Sequence, residues 1–277
     1  MLNQHISQTL AGRIAILTLL PLSIEELGPH LPNDLSSYLF QGSYPSLYSR
    51  KIDPNDWYKS YIQTYVERDV RQIKNIADLT LFQKFIKLCA GRIGQLLNIT
   101  SLSDDCGVSV NTIKAWLSIL EASYITFCLQ PHYKNFSKRL IKTPKLYFYD
   151  TGLAAYLLGI ESPAMLEQHY LRGGLFESMV LSDFVKHRYN LGKSSNLYFW
   201  RDKSGLEIDC LIERGDQLIP VELKSGKTIS PDFFDSLQRF CELANLPLNA
   251  GSIIYGGDEQ QNRSKGRVLS WRQAYAL

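Results

Sequence analysis

Two short strings hold the carboxylates best placed to do chemistry, Glu207-Ile-Asp209 and Glu222-Leu-Lys224. Both lie in stretches with the alternation of β-strands. Side chains on a strand point to opposite faces in turn, so Glu222 and Lys224 share one face while Ile219, Val221 and Leu223 share the other. By the same rule Ile208, Cys210 and Ile212 share a face on the preceding strand, opposite Glu207 and Asp209. Neighbouring strands can thus present Asp209, Glu222 and Lys224 together. Upstream, at about 100° per residue, Glu177 falls among Val180, Leu181 and Phe184 on the apolar side of a helix. An inward carboxylate needs a metal, a cation or a proton. Carboxylate oxygens suit a hard divalent ion such as Mg²⁺ or Mn²⁺. Phosphodiester hydrolysis requires an activated water and relief of charge on the phosphate, which such an ion supplies, and a lysine can orient the water. On this reading Asp209 and Glu222 hold the metal, Lys224 orients the water and Glu177 completes the metal shell. The plain alternative is an exposed Glu–Lys pair on a surface strand, worth little.

The elements around these residues follow an order. A helix is predicted over about Leu175 to Tyr189. Strands follow at Leu197–Trp200, Glu207–Ile212 and Leu218–Lys224, then a helix at about Pro231–Ala244 and a strand at Ser252–Tyr255. That is a small α/β unit over about 170–277. Before it, Asp53 and Pro54 can start a helix that carries Tyr58, Tyr61, Ile62, Tyr65, Val66 and Val70 at helical spacing. A second helix is predicted over about Leu79 to Leu97. Ser101 to Leu120, with a turn at Gly107, has the pattern of a helix-turn-helix. Two β-like segments follow, Tyr124–Leu129 and Lys145–Tyr149, and the loop between them carries Lys134, Lys138, Arg139, Lys142 and Lys145 without an acid. Helix-turn-helix plus a basic hairpin reads as a winged helix, so 51–160 is predicted helical with a winged helix. The fold class is α+β or α/β. Residues 1–50 are punctuated by Pro21, Pro29, Pro32 and Pro45 and read as irregular.

Composition narrows the class. The 277 residues are 45% hydrophobic and 21% charged, a globular mix that excludes disorder, collagen and coiled coil for the whole chain. No apolar run approaches the ~20 residues that span a bilayer, so no membrane partner is expected. Five cysteines without a CxxC pair point to a reducing, cytoplasmic setting rather than a disulfide framework or cysteine zinc site. Net charge is +3, but residues 51–150 carry 14 Lys/Arg against 9 Asp/Glu. An anionic partner, DNA above all, should meet the middle of the chain first. The five basic residues of the hairpin loop are the predicted phosphate contacts.

Glu177, Asp209 and Glu222-x-Lys224 resemble the PD-(D/E)XK nuclease-like superfamily. More closely, Tyr198-Phe-Trp-Arg-Asp-Lys-Ser-Gly-Leu-Glu-Ile-Asp209 and Val221-Glu-Leu-Lys-Ser-Gly226 resemble the C-terminal domain of prokaryotic AAA-family ATPase fusion proteins. Ser60 to Val70 and Lys145-Leu-Tyr-Phe-Tyr-Asp-Thr-Gly-Leu153 match that family's middle segment. Ser7 to Arg13 and Leu20 to Glu26 resemble the end of its ATPase core, which makes 1–50 look like a remnant of that core and a linker. The resemblance implies an ATPase core, a winged helix and a nuclease-like domain in order, with most of the ATPase missing here. A phosphate-cradling GxxxxGK[ST] is absent: Gly226-Lys-Thr228 supplies only its tail, and Val221 stands where the first glycine is needed. Nucleotide binding and ATPase activity are therefore not expected of this chain. The function expected is a DNA-binding protein with a Mg²⁺-dependent nuclease-like domain; the alternative is a non-catalytic module that binds nucleic acid or protein. The apolar segment Ile14 to Leu20 is expected to pack on the 54–76 helix or to mediate self-association.

Overall fold

The computed structural model describes residues 17–66, 78–132 and 141–277. Residues 20–50, read as irregular, form short helices instead: α1 (Ile24–Leu27), α2 (Leu35–Gln41) and α3 (Pro45–Ser49). Periodicity cannot show helices of one or two turns; their caps can. Ser23 and Glu26 form a reciprocal capping box on α1, Asp34 caps α2, and Pro45 opens α3. Leu20, Ile24, Leu27, Leu35, Leu39 and Leu47 are all buried in the main core.

Helix α4 (Pro54–Thr64) is capped by Asp53 as predicted, and residues 67–76 of the expected helix lie outside the described residues. Tyr58 is buried, Tyr61 stacks on Trp57 and Tyr65, and so this stripe is core. Helix α5 (Leu79–Ala90) stops well before Leu97, because Gly91 to Gly94 turn the chain, with Gly94 at φ +77°. Helices α6 (Ile99–Cys106) and α7 (Val110–Ala122) are capped by Asn98 and Ser109, with left-handed Gly107 between them. Strands β1 (Thr126–Leu129) and β2 (Lys145–Phe148) pair antiparallel. Next come α8 (Thr151–Leu157), α9 (Pro163–Glu167) and the long α10 (Arg172–Asn190).

A mixed six-stranded sheet follows: β3 (Leu197–Arg201), β4 (Glu207–Arg214), β5 (Gln217–Lys224), β6 (Ser252–Tyr255), β7 (Gln261–Arg263) and β8 (Gly266–Ser270). Its order is β3-β4-β5-β6-β8-β7, with β5, β6 and β8 parallel and the other pairs antiparallel. The chain is thus of mixed α+β class, as read from the sequence. Helix α11 (Asp235–Ala244) covers one sheet face, where Trp200, Ile208, Leu211, Leu237, Phe240, Ile253 and Val268 cluster. The other face carries Cys210, Ile212, Val221, Leu223 and Ile254 into the main core with α10 and the helical half. Each such side chain contributes about 1.5–3 kcal/mol by leaving water. Among the described residues no helix is long and apolar enough to cross a membrane.

Polar bolts join the segments. Asp150 caps α8 through Leu153 N–H (2.8 Å) and also accepts from Ser43 N–H (2.7 Å) and Tyr58 O–H (2.6 Å). Buried Lys186 of α10 donates to Ser43 Oγ (2.8 Å) and Leu22 O (3.2 Å), and Asp183 accepts from Ile24 N–H (2.7 Å). The string Tyr149-Asp-Thr-Gly152 is therefore a structural node that ties residues 20–58 to α8 and α10.

Candidate functional site

Strand β4 is where simple alternation fails. Tyr198 pairs Leu211 and Trp200 pairs Ile208, so β3 advances two residues while β4 advances three. The extra residue is a β-bulge at Asp209–Cys210, and it rotates the chain by one side-chain position. Ile208, expected beside Cys210 and Ile212, consequently sits in the α11-side cluster, while those two face the main core. The β4–β5 pairing runs from Arg214–Gln217 to Cys210–Val221 and ends there. Beyond that point the strands fork. Asp209 Oδ2 fills the fork by accepting the Leu223 N–H at 2.9 Å.

Asp209, Glu222 and Lys224 meet at this fork, as predicted. Lys224 Nζ donates to Glu222 Oε2 at 2.7 Å and lies 4.0 Å from Asp209 Oδ2. Glu222 is 3% exposed, and its Oε1 has no hydrogen-bond partner. Burial first, and then the Asp209 carboxylate within hydrogen-bonding reach, hold its carboxyl well above the ordinary range; Lys224 pulls the other way. This buried carboxylate pair with an unsatisfied oxygen is short of one positive charge or one proton.

Glu177 reaches the cluster from α10, but it is already engaged. Tyr147 O–H donates to its Oε2 at 2.7 Å, and Lys145 Nζ lies 3.6 Å from the same oxygen. Burial, then Asp209, pushes its pKa up to about 7. Two glycines allow this approach. Gly174 on α10 packs against Ile93 O, where a Cβ would come within 2.6 Å, and left-handed Gly94 faces Gly174. Gly94 N–H and Gln95 O bond both sides of Leu146, which holds β2 against the base of α10.

Lys145 requires a correction. Its sequence neighbours place it in the basic loop as a phosphate contact, yet it is buried at 4% exposure and its ammonium pairs with Glu207 Oε1 as well as Glu177. Burial works against its charge, but Glu177, Glu207 and Asp209 outweigh that and raise its pKa. Glu207 is shared with Arg201, 3.1 Å away. Tyr147, Glu207 and Arg201 were not among the predicted site residues. The signal for the first was present: Lys145 and Tyr147 alternate around Leu146 and so share a strand face. Of the other loop residues Lys142 is exposed, and Lys134, Lys138 and Arg139 lie outside the described residues.

The cluster thus sets four carboxylates (Glu177, Glu207, Asp209, Glu222) against three cations (Lys145, Lys224, Arg201). Its donors are hard oxygens, the kind a small divalent ion takes, and Glu222 Oε1 is the one left without a hydrogen-bond partner. No group of three or more Asp, Glu, His or Cys side chains stands ready to hold one among the described residues.

Comparison with known proteins gives relatives without a known activity. Residues 32–164 match the family model Domain of unknown function (DUF8612), and residues 172–274 match Domain of unknown function (DUF4143). The uncharacterized proteins Rv2008c of Mycobacterium tuberculosis and Mb2031c of Mycobacterium bovis are each 29% identical to the chain over 255 residues. The match covers 92% of this chain but only 56% of each relative, so the chain spans about half the length of the curated proteins it matches. No solved structure matches.

Proposed function

We propose that the sheet half carries a divalent-metal-dependent phosphodiesterase site of the PD-(D/E)XK nuclease-like kind, and that the helix-turn-helix and hairpin, read as a winged helix, bring it to DNA. The observation that supports this reading most is the fork of β4 and β5, where Asp209 and Glu222 stand side by side with Glu222 Oε1 buried and unsatisfied. Asp209 and Glu222 hold the ion, which supplies an activated water and charge relief when bound. Lys224, bonded to Glu222, would orient that water. Asp209 is positioned by the Leu223 N–H, and Glu222 by its place on β5 and its bond to Lys224. The resemblance to AAA-family ATPase fusion proteins suggests that a longer relative couples such a site to an ATPase.

A specific observation favours a second reading. Glu177 is tied to Lys145 and Tyr147, and three cations nearly balance the four acids, as in a non-catalytic binding module. One experiment separates the two: nicking of supercoiled DNA with Mg²⁺ or Mn²⁺, with Asp209→Ala and Glu222→Ala as controls. Metal-dependent nicking lost in both variants supports the nuclease-like reading. Binding of DNA without nicking under any metal supports the binding module.

A further inference from the structure

We propose that Lys145 is the resident counter-cation of the acidic site: it holds Glu177 outside the ion shell and thereby lowers the affinity of Asp209 and Glu222 for a divalent ion. This rests on the reading above. Lys145 does not belong to the sheet that builds the site. It enters from β2, and its ammonium pairs with Glu207 and lies 3.6 Å from Glu177. Its Nζ also lies 5.7 Å from the centre of the Phe199 ring, inside the protein.

Burying a lysine is costly unless it is paired, so its position is maintained by the acids it meets. The β1–β2 pair that carries it is held from two sides. Gly94 and Gln95 bond Leu146, and the chain after β1 pairs with β3 through Phe199 N–H to Gln130 O (3.1 Å) and His132 N–H to Phe199 O (2.8 Å). The hairpin therefore delivers a fixed positive charge to a site on another part of the molecule. With all four carboxylates ionised the cluster carries −1; without Lys145 it carries −2, and Glu177 keeps only the Tyr147 hydrogen bond on Oε2, which leaves its carboxylate charge uncompensated and its other oxygen available as a third donor. Both changes draw in a dication. The same loss of positive charge repels a phosphodiester. Lys145 is thus a positioning residue whose removal acts in opposite directions on the two ligands, and a purely structural residue has no reason to do so.

The test is calorimetric titration of the full chain with MnCl₂ alone. Lys145→Gln and Lys145→Met, the latter keeping an apolar stem near Phe199, are expected to bind Mn²⁺ about tenfold tighter than the unaltered chain, a change of about 1.4 kcal/mol. Lys145→Arg, which keeps the charge, should stay within about threefold. A cycle with the conservative Glu177→Gln adds a readout that does not require Lys145 variants to be as stable as the parent. Glu177→Gln should change affinity less than about threefold in the parent and about tenfold in the Lys145→Gln background. Equal or weaker Mn²⁺ binding by Lys145→Gln and Lys145→Met, or a tenfold loss from Glu177→Gln alone, would overturn the inference. In that case a parent chain whose Mn²⁺ binding still depends on Asp209 and Glu222 leaves the metal-site reading standing. Absence of Mn²⁺ binding in the parent and in every variant overturns both.

Discussion

Glu177→Gln in metal-free buffer should change the pH dependence of stability by an amount the structure sets. Burial, and then Asp209, raises the Glu177 carboxyl from the ordinary 4.5 to about 7. Between these values the unfolded chain has lost a proton that the folded chain still holds. Stability is therefore complete below pH 4.5 and drains away as pH rises to 7. At about 1.4 kcal/mol per pH unit the loss is about 3 kcal/mol. Gln cannot ionise, and its carbonyl can still accept from Tyr147, so the variant lacks this loss. Asp183, pushed up to about 6 by burial, drains stability in the same direction, but it is present in both proteins and cancels in the comparison. Guanidinium unfolding with a chelator at pH 5, 6, 7 and 8 is the assay. The parent should lose about 2.5 kcal/mol more than Glu177→Gln from pH 5 to pH 8, the part of the change below pH 5 lying outside the window. Parallel curves for the two proteins would refute the placement of Glu177 as a buried carboxyl beside Asp209.

Other outcomes follow from single contacts. Asp209→Asn and Glu222→Gln should each abolish stabilisation by Mn²⁺ in a thermal melt, while metal-free stability holds or rises because a buried like-charge pair is relieved; a retained Mn²⁺ shift excludes the fork as the ion site. Gly152→Ala should destabilise by about 2–4 kcal/mol, since its Cβ would meet Tyr58 Oη and come within 2.7 Å of Gln41 O, disrupting the Asp150 node; a melting temperature equal to the parent's counts against this packing. Replacing Lys134, Lys138 and Lys142 by Ser should lower the slope of log affinity for duplex DNA against log salt by about 2–3, at about 0.9 per phosphate contact; an unchanged slope removes the loop from the interface. The thiols of Cys89 and Cys210 are pushed up by burial and should react with Ellman's reagent only as fast as the chain unfolds; rapid native labelling would contradict their burial.

Local elements and most of the acidic cluster are legible in the residue pattern alone. Alternation over Gln217–Lys224 placed Glu222 and Lys224 on one face, and capping residues and Gly107 set the two helices α6 and α7 and the turn between them, because these signals act over a few neighbouring residues. Strands β7 and β8 were not legible: Gln261–Arg263 is short and polar, and Gly266–Ser270 is a strand because β6 lies beside it. Residues 20–50 carry caps but no long period, and their burial depends on α8, α10 and the Asp150 node. The bulge at Asp209 also escaped, since period-2 reasoning assumes an unbroken ladder and only pairing with β3 reveals the extra residue. Lys145 was read by its neighbours in sequence, a basic loop. Its neighbours in space are Glu177, thirty-two residues away, and Glu207, sixty-two residues away. Charge in a loop and charge at a buried site look alike in sequence. What separates them is which acids the folded chain brings within reach of the ammonium, and that is decided by the docking of β2 on α10 and β3.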